Sequence, residues 1–474
     1  MAAIAWLHLS DLHFKAGTEA EHFNKKMVLE ALWKDIEKQI HSGLKPDFII
    51  FSGDVAYHGK KSEFDLAVID FFDPLLRITG LAKDRLFVVP GNHDIDREKI
   101  TPNLRDGMLT QLDDRDRVNQ FLSAARDKER GLVLEKFHAY AEFIQNYFAG
   151  HLTFGETDYF YTQIIPIEGY KIAILGLNSA WMCGYGKDYK GEVSDRDHLL
   201  IGEWQLEEAL ERTEEADLRI AILHHPTDWL HETDRFNIEK RLEAKCDFVL
   251  HGHWHIPQVN YRYSIAGQAV YIPCGAVYAN RDFPNGYNFV QIDLNSQKIR
   301  VYLRRYNDSG SKGPEWTKDI QSTGEGFDGI FELTLKNLQK RFCQLPGQVS
   351  KKILFVENEP AWQEAIRSLL IPPDFDLRIA TSYAETMLLL QQSSFDLIIL
   401  NLCLRHDNDY EGEAILDYLN SHNINHIPCI ILTGSFISVK GLFERYNICE
   451  TFVKGQSFNR AEFLRAINSY VYCQ

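Results

Sequence analysis

Residues 85–94 read RLFVVPGNHD, a short run of β-formers followed by Pro-Gly and then an amide, an imidazole and a carboxylate. An apolar run of roughly four to eight residues bounded by turn formers reads as a buried strand. The same composition recurs at IAWLHLSDLH (4–13), PDFIIFSGD (46–54), KIAILGLNS (171–179), RIAILHHP (219–226) and CDFVLHGHWH (246–255). Helical patterns lie between them, at Lys26 to Ser42 and at Glu203 to Ala216. The later runs QAVYIPCG, YNFVQIDL and KIRVYLRRY follow one another without helices and read as antiparallel. Together these segments predict an α/β sandwich with mixed sheets.

Each strand ends in groups that can bind a metal. Asp11 and His13 stand two apart, a spacing that projects both side chains the same way from an extended chain. Asp54 ends the second strand, and Asn92, His93 and Asp94 end the third. His224 and His225 end the fifth, and HGHWH supplies His251, His253 and His255. Ligands gather at the C-terminal ends of strands in α/β sheets. Imidazoles, carboxylates and one amide suit Mn, Fe, Zn or Co, and the lack of thiolates in the set argues against copper or an iron–sulfur centre. A bare buried cluster of this kind would be intolerable, so metal ions must bind it.

The blocks D-x-H, GD, GNHD, H-x-P and GHxH, in that order over roughly residues 1–335, resemble the calcineurin-like metallophosphoesterase superfamily. The resemblance implies a four-layer αββα sandwich and two divalent or mixed-valence metal ions (Mn, Fe or Zn). By position it places one metal on Asp11, His13, Asp54 and His255. The second falls on Asp54, Asn92, His224 and His253, with the Asp54 carboxylate bridging. His93 becomes a catalytic, non-ligand histidine beside the phosphate, and Asp94 is expected to orient its ring. His225 and His251 are expected to support the ligands rather than to ligate. His13 already fills the position that Tyr57 would take as a ligand. Trp254 has two open readings, stacking on a base or packing, and His8, His22, His41 and His138 read as ordinary histidines. Two cations about 3.5–4 Å apart acidify a bridging water and neutralise an in-line phosphoryl displacement, so no side-chain nucleophile is needed. LHLSDLHF, SGDVAYHGK and PGNHDIDR look most like the branch that contains cyclic-nucleotide phosphodiesterases and related signalling proteins.

A charged segment from Asp96, helical to about Gly150, follows GNHD directly and reads either as a solvated helical insertion or as a cap over the site. Residues 305–350 are rich in Gly, Ser, Lys and Gln and mark a junction, which gives expected domains 1–335 and 351–474 joined by a linker at 336–350. After Lys351, five strands alternate with five helices, the rhythm of a doubly wound, flavodoxin-like domain. KKILFVENEP, DLIILNLCL, IILTGS and TFVKG resemble a response-regulator receiver domain, with Thr433 and Lys454 at its switch positions. The phospho-acceptor position holds Asn401, and the acidic pair reads Glu357-Asn358 with Glu359 beside it. An amide lacks the carboxylate nucleophile that forms an acyl phosphate, and the lost charge weakens a Mg²⁺ site. This is the pattern of a pseudo-receiver that docks or dimerises without being phosphorylated.

The chain has 474 residues, 45% hydrophobic and 25% charged, which excludes wholesale disorder. No apolar run reaches the length of a membrane span, and the N-terminus lacks the basic start of a signal peptide. Eight dispersed cysteines without a CxxC pair suit a reducing, cytoplasmic setting. A net charge of −16 argues against stable nucleic-acid binding, although bound cations can reverse the local field for a nucleic-acid substrate. The expected function is hydrolysis of a phosphodiester, with a cyclic or related signalling nucleotide as substrate. The alternatives are a nuclease of the same superfamily or a nucleotide-binding regulatory protein. Expected partners are that substrate and a second copy or another protein docked through the receiver-like domain, with no membrane.

Overall fold

Strand β1 (Ala3–Leu9) is buried from Ile4 onward, as suits a strand covered on both faces. Helix α1 (Glu19–His41) starts at a reciprocal capping box between Thr18 and Glu21 and leads to β2 (Phe48–Phe51), which lies parallel to β1. β3 (Leu86–Val88) extends the parallel array. The computed structural model describes residues 3–472 except 16, 112–113, 124–126, 156–157, 188–189, 256–258, 264–266, 281–283, 294–297, 309–312, 323–327, 335–350, 371–374, 405–410, 423, 425, 435–441, 443–444, 447 and 456–457.

A second sheet takes β4 (Tyr161–Ile167), β5 (Tyr170–Gly176), β6 (Leu218–Ile222), β7 (Phe248–His251), β8 (Asn260–Tyr263) and β9 (Gln268–Pro273) in the order β4-β5-β6-β7-β9-β8. The chain then returns to the first sheet as β10 (Gly286–Asp293), β11 (Lys298–Asn307), β12 (Glu315–Lys318) and β13 (Ile330–Thr334). That sheet runs β12-β11-β10-β1-β2-β3, with β13 also on β11. The sheets meet through Trp6 of β1, whose ring lies edge-on to Phe248 of β7 at 5.1 Å. Helices cover the outer faces: Phe71 packs on Phe51 of β2, while Ile238 and Leu242 of helix Glu232–Lys245 are buried on the other side. The result is the expected four-layer sandwich.

One expectation needs correction. β10 and β11 are antiparallel, but QAVYIPCG forms β9, which sits in the other sheet and runs parallel to β7. β8 runs antiparallel to β9 at the outer edge, so the chain reverses direction twice between β7 and β9 and the two lie parallel.

The segment after GNHD forms helices Pro102–Gln111, Arg115–Leu122, Asp127–Leu134 and His138–Tyr147. They are built into the core as well as facing solvent. Phe121 stacks on Trp181 at 5.7 Å, and Phe143 stacks on Phe64 at 5.2 Å. Lys136 is fully buried, donates to the Trp181 and Cys183 carbonyls at 2.7 and 2.8 Å, and has its pKa lowered by burial to about 7.

The chain divides into two compact units, Met1–Leu338 and Gln339–Gln474. The expected linker at 336–350 lies outside the described residues. In the second unit β14 (Lys351–Val356), β15 (Phe375–Ala380), β16 (Leu397–Leu400), β17 (Cys429–Thr433) and β18 (Ile448–Val453) form an all-parallel sheet in the order β15-β14-β16-β17-β18. In terms of chain order this is 2-1-3-4-5, the doubly wound flavodoxin-like arrangement. Apolar cores lie on both faces of the sheet. Most of the expected fourth helix, between β17 and β18, lies outside the described residues.

Candidate metal centre

The loops that leave β1, β2, β3, β6 and β7 at their C-terminal ends converge on one site. β1 ends at Leu9, and Asp11 and His13 have φ of 56° and 49°. Both therefore sit in the left-handed region and do not project from an extended strand, which corrects the geometric reading of their spacing. Asp54 (59°), His253 (68°) and His255 (57°) share this conformation. It costs an L-residue roughly 1–2 kcal/mol, and such strain clusters at functional sites. Local bonds hold it in place. The N–H groups of Leu12 and His13 both donate to the Asp54 carbonyl, at 2.8 and 3.1 Å, and buried Lys25 Nζ donates to the Leu12 and His13 carbonyls, both at 2.8 Å. Gly91 leaves no room for a Cβ because the Asp54 carboxylate lies where that atom would be.

The expected ligands form two overlapping groups. On one side His255 Nε2 lies 2.9 Å from Asp11 Oδ1, and His13 Nε2 lies 3.4 Å from His255 Nε2 and 3.7 Å from Asp11 Oδ1. On the other, Asn92 Oδ1 lies 3.2 Å from His224 Nε2 and 3.0 Å from His253 Nδ1, and His224 Nε2 lies 3.2 Å from Asp54 Oδ2. Atoms bound at about 2.1 Å to one tetrahedral or octahedral ion lie about 3.0–3.4 Å apart. The spacings around Asn92 and His224 and that between His13 and His255 fall in that range, while the 2.9 and 3.7 Å spacings to Asp11 lie just outside it. Potential ligand atoms of Asp11, Asp54 and His224, and those of His13, Asp54 and His93, also fall within 4.8 Å of one another, which puts Asp54 between the two groups.

Electrostatics points the same way. Burial opposes charge on Asp11 and Asp54, yet His255 beside Asp11 and His224 beside Asp54 hold both carboxyls well below the usual range. Burial lowers His13 to about 4 and, with the neighbouring His224, lowers His253 to about 3, leaving neutral rings with lone pairs free for a cation. Against its burial, His224 is raised to about 9 by Asp54. Against its burial, His255 is likewise raised by Asp11, so His13 and His253 offer neutral rings while His224 and His255 hold positive charge against the two carboxylates, where a metal ion would take its place.

The surrounding groups fix the ring orientations. His224 Nδ1 donates to the Ser52 carbonyl at 2.7 Å, so Nε2 is the atom that faces Asp54. His93 Nδ1 donates to the Tyr57 carbonyl at 2.9 Å, and its backbone N–H donates to Asp54 Oδ1 at 2.8 Å. The expectation that Asp94 orients the His93 ring is therefore corrected. The Asp94 carboxylate accepts the backbone N–H groups of Asp54, Ala56 and Gly91 at 2.8–2.9 Å, and so holds the loops together. Burial, reinforced by Asp54, raises its pKa to about 8.

His225 is fully buried, with Nδ1 2.9 Å from Ser179 Oγ and Nε2 3.6 Å from Cys183 Sγ. His251 is buried and donates through Nδ1 to the Gly252 carbonyl at 3.1 Å. The Tyr57 ring lies 4.8 Å from that of His93. Trp254 is at the surface with its ring 6.1 Å from His251. Of the histidines read as ordinary, His8 is buried against Ser52, while His22, His41 and His138 are exposed. Sequence reasoning missed Ser52, Ser179, Lys25 and the Tyr57 carbonyl. None of them carries a motif signal.

In the second unit the polar residues gather at the C-terminal edge of the sheet. Asn401 Nδ2 donates to Glu357 Oε1 at 3.1 Å, to Asn358 Oδ1 at 3.4 Å and to the Cys403 carbonyl at 2.9 Å. Lys454 Nζ lies 2.6 Å from Glu357 Oε2 and 2.9 Å from Glu359 Oε1. Thr433 is buried beside them at the end of β17, its hydroxyl without a partner among the described residues.

The double sheet thus gathers carboxylates, an amide and imidazoles from its strand ends around one site that could hold metal ions. The calcineurin-like phosphoesterase family model matches residues 6–257, more than half of the chain, and the chain belongs to that family. It is 24% identical over 263 residues to the uncharacterized metallophosphoesterase-like protein YydB of Bacillus subtilis (strain 168), covering 54% of this chain and 50% of YydB. It is 31% identical over 124 residues to ycf29 of Pyropia yezoensis, described as a probable transcriptional regulator, covering 26% of this chain and 54% of ycf29. The chain thus spans about half the length of the curated relatives it matches. Among solved structures it is similar to the signal receiver domain of an HD domain-containing protein from Pseudomonas fluorescens Pf-5. That match has 20% identity and a TM-score of 0.23, and covers 25% of this chain and 93% of that one. No described helix is long and apolar enough to cross a membrane.

Proposed function

We propose that the first unit is a dinuclear phosphodiesterase acting on a cyclic or related signalling nucleotide. The observation that carries this reading is the place of Asp54, whose carboxylate is shared by both ligand groups. Asp11, His13, Asp54 and His255 would hold one ion, and Asp54, Asn92, His224 and His253 the other, with Mn, Fe or Zn as the metals. Two such ions, when bound, supply an acidified water and neutralise the phosphoryl oxygens. Around them, Ser52 keeps His224 Nε2 turned inward, and Asp94 fixes the loops that carry Asp54 and Asn92. The Tyr57 carbonyl keeps a proton on His93 Nδ1, so it is the doubly protonated ring that would give its Nε2 proton to the leaving oxygen and be left as the neutral Nδ1–H form.

His93→Ala is expected to keep its metals and lose turnover by about 10²–10⁴-fold on a diester with an alkoxide leaving group, but much less on bis(p-nitrophenyl) phosphate. Elemental analysis and steady-state kinetics over a leaving-group series make the comparison. Equal losses across the series would exclude proton donation by His93.

A further inference from the structure

Beside the metal centre, sharing Asn92 with it, lies a cavity of about 370 Å³. This volume falls in the range of about 300–1,000 Å³ usual for small-molecule sites. One wall is the loop that follows β2, and the other is the chain just after GNHD. They meet where Gly59 (φ +64°) lies against the Ile95 backbone, with no room for a Cβ between them. Glu63 shapes the first wall by accepting the His58 and Lys60 N–H groups at 2.8 and 3.1 Å. Lys60 then ties the walls together, its Nζ 2.8 Å from Asp96 Oδ1 and 2.7 Å from Glu98 Oε2.

The charges of this lining decide what can enter. Lys60 and Arg97 contribute two positive charges, and Glu63, Asp96 and Glu98 contribute three negative ones, while the His58 imidazole, also in the lining, has its Nδ1 3.2 Å from Glu63 Oε1. Lys60 is engaged by two of those carboxylates, and Arg97 lies 3.3 Å from Asp195 Oδ2. Both cations already have carboxylate partners, so neither is left over for a phosphate. Tyr57, 38% exposed, lines the cavity with its ring 4.8 Å from His93 and 4.7 Å from His58. Lys15 Nζ, held by Glu21 at 2.7 Å, lies 5.2 Å from its centroid, and the rest of the ring offers an aromatic face to the cavity. Such a face suits a stacked base.

We propose that this cavity holds the nucleoside part of the substrate and selects for a diester with a single phosphate, rejecting chains that carry a further phosphate next to that nucleoside. This inference rests on the phosphodiesterase reading above and narrows it away from nucleic-acid strands. In the step itself the water oxygen bonds to phosphorus, the bond from phosphorus to the leaving oxygen breaks, and that oxygen takes a proton. No charge has to enter the cavity.

The test uses the full-length, Mn²⁺-loaded protein at low salt with two substrates that differ by one remote phosphate. They are the p-nitrophenyl ester of thymidine 5′-phosphate and the same ester bearing a 3′-phosphate, with bis(p-nitrophenyl) phosphate as control. The first nucleotide is expected to exceed the second in kcat/KM by about ten-fold, with the gap narrowing as salt rises. Glu98 is 85% exposed, so Glu98→Lys should fold, and it is expected to shrink or reverse the preference. Equal rates for the two nucleotides, a preference for the extra phosphate, or a preference unmoved by Glu98→Lys would overturn the inference. So would cleavage of the control alone. Failure to cleave all three would instead overturn the phosphodiesterase reading.

Discussion

The Ser179 hydroxyl accepts the backbone N–H groups of His224 and His225 at 3.2 and 3.1 Å and lies 2.9 Å from His225 Nδ1. With both lone pairs used, its one proton goes to Nδ1, so His225 carries its own proton on Nε2 and has no lone pair left for a metal. Ser179 thereby positions the backbone of His224, and we propose that it also keeps His225, whose ring nitrogens lie in one group with those of His224 and His253, from acting as a ligand. Ser179→Ala leaves two buried N–H donors unpaired, and is expected to weaken metal binding about 10–100-fold while the chain stays folded. Metal titration by calorimetry, with circular dichroism as the folding control, measures this, and wild-type affinity in the variant would contradict the role. The residues gathered at the site, the proposed ligands, were legible in the sequence because each one closely follows its strand and belongs to a block of chemically uncommon residues. Ser179 was not, because serine is common and the fold alone brings it to His224. Ser52 and Tyr57 act through carbonyls, which every residue has. Asp94 was visible but misread, because a carboxylate next to a histidine in sequence says nothing about which N–H groups it meets in space.

Among the elements, strands β1 to β3 and β5 to β7 were legible because each is a short apolar run closed by polar residues. The left-handed turns at Asp11, His13, Asp54, His253 and His255 were hidden, since Asp and His enter that region more often than most residues but still only occasionally, and nothing in the sequence marks which of them do. The direction of β9 was also hidden: an apolar run reveals burial and leaves open which neighbour the strand will join. In the helical segment after GNHD, dense charge concealed an apolar face. Val118, Phe121, Tyr140, Phe143 and Ile144 are buried there, and a buried lysine, Lys136, ties the helices to the 181–183 loop. Whether that segment caps the site was left open by the sequence. Its first residues, Asp96 to Glu98, do line the cavity beside the metal centre.

At the scale of the molecule, a family phosphoesterase unit is joined to a doubly wound unit whose polar pocket is closed upon itself. Asn401 donates to Glu357, and Lys454 is paired with Glu357 and Glu359. We propose that this unit is a non-phosphorylatable docking or dimerisation module. Acetyl phosphate is expected neither to label residues 351–474 nor to alter the hydrolytic rate, and a stable phosphoryl adduct there by mass spectrometry would refute this. The central claim is that the first unit works through two metal ions held around Asp54. It is tested most directly by chelating the full-length chain, reloading it with Mn²⁺, and measuring bound metal and bis(p-nitrophenyl) phosphate hydrolysis together for wild type and Asp54→Asn. The wild type should hold about two ions per chain and turn over, while the variant should stay folded and lose both metal and activity. A variant that retains both ions and near-wild-type turnover would contradict the account.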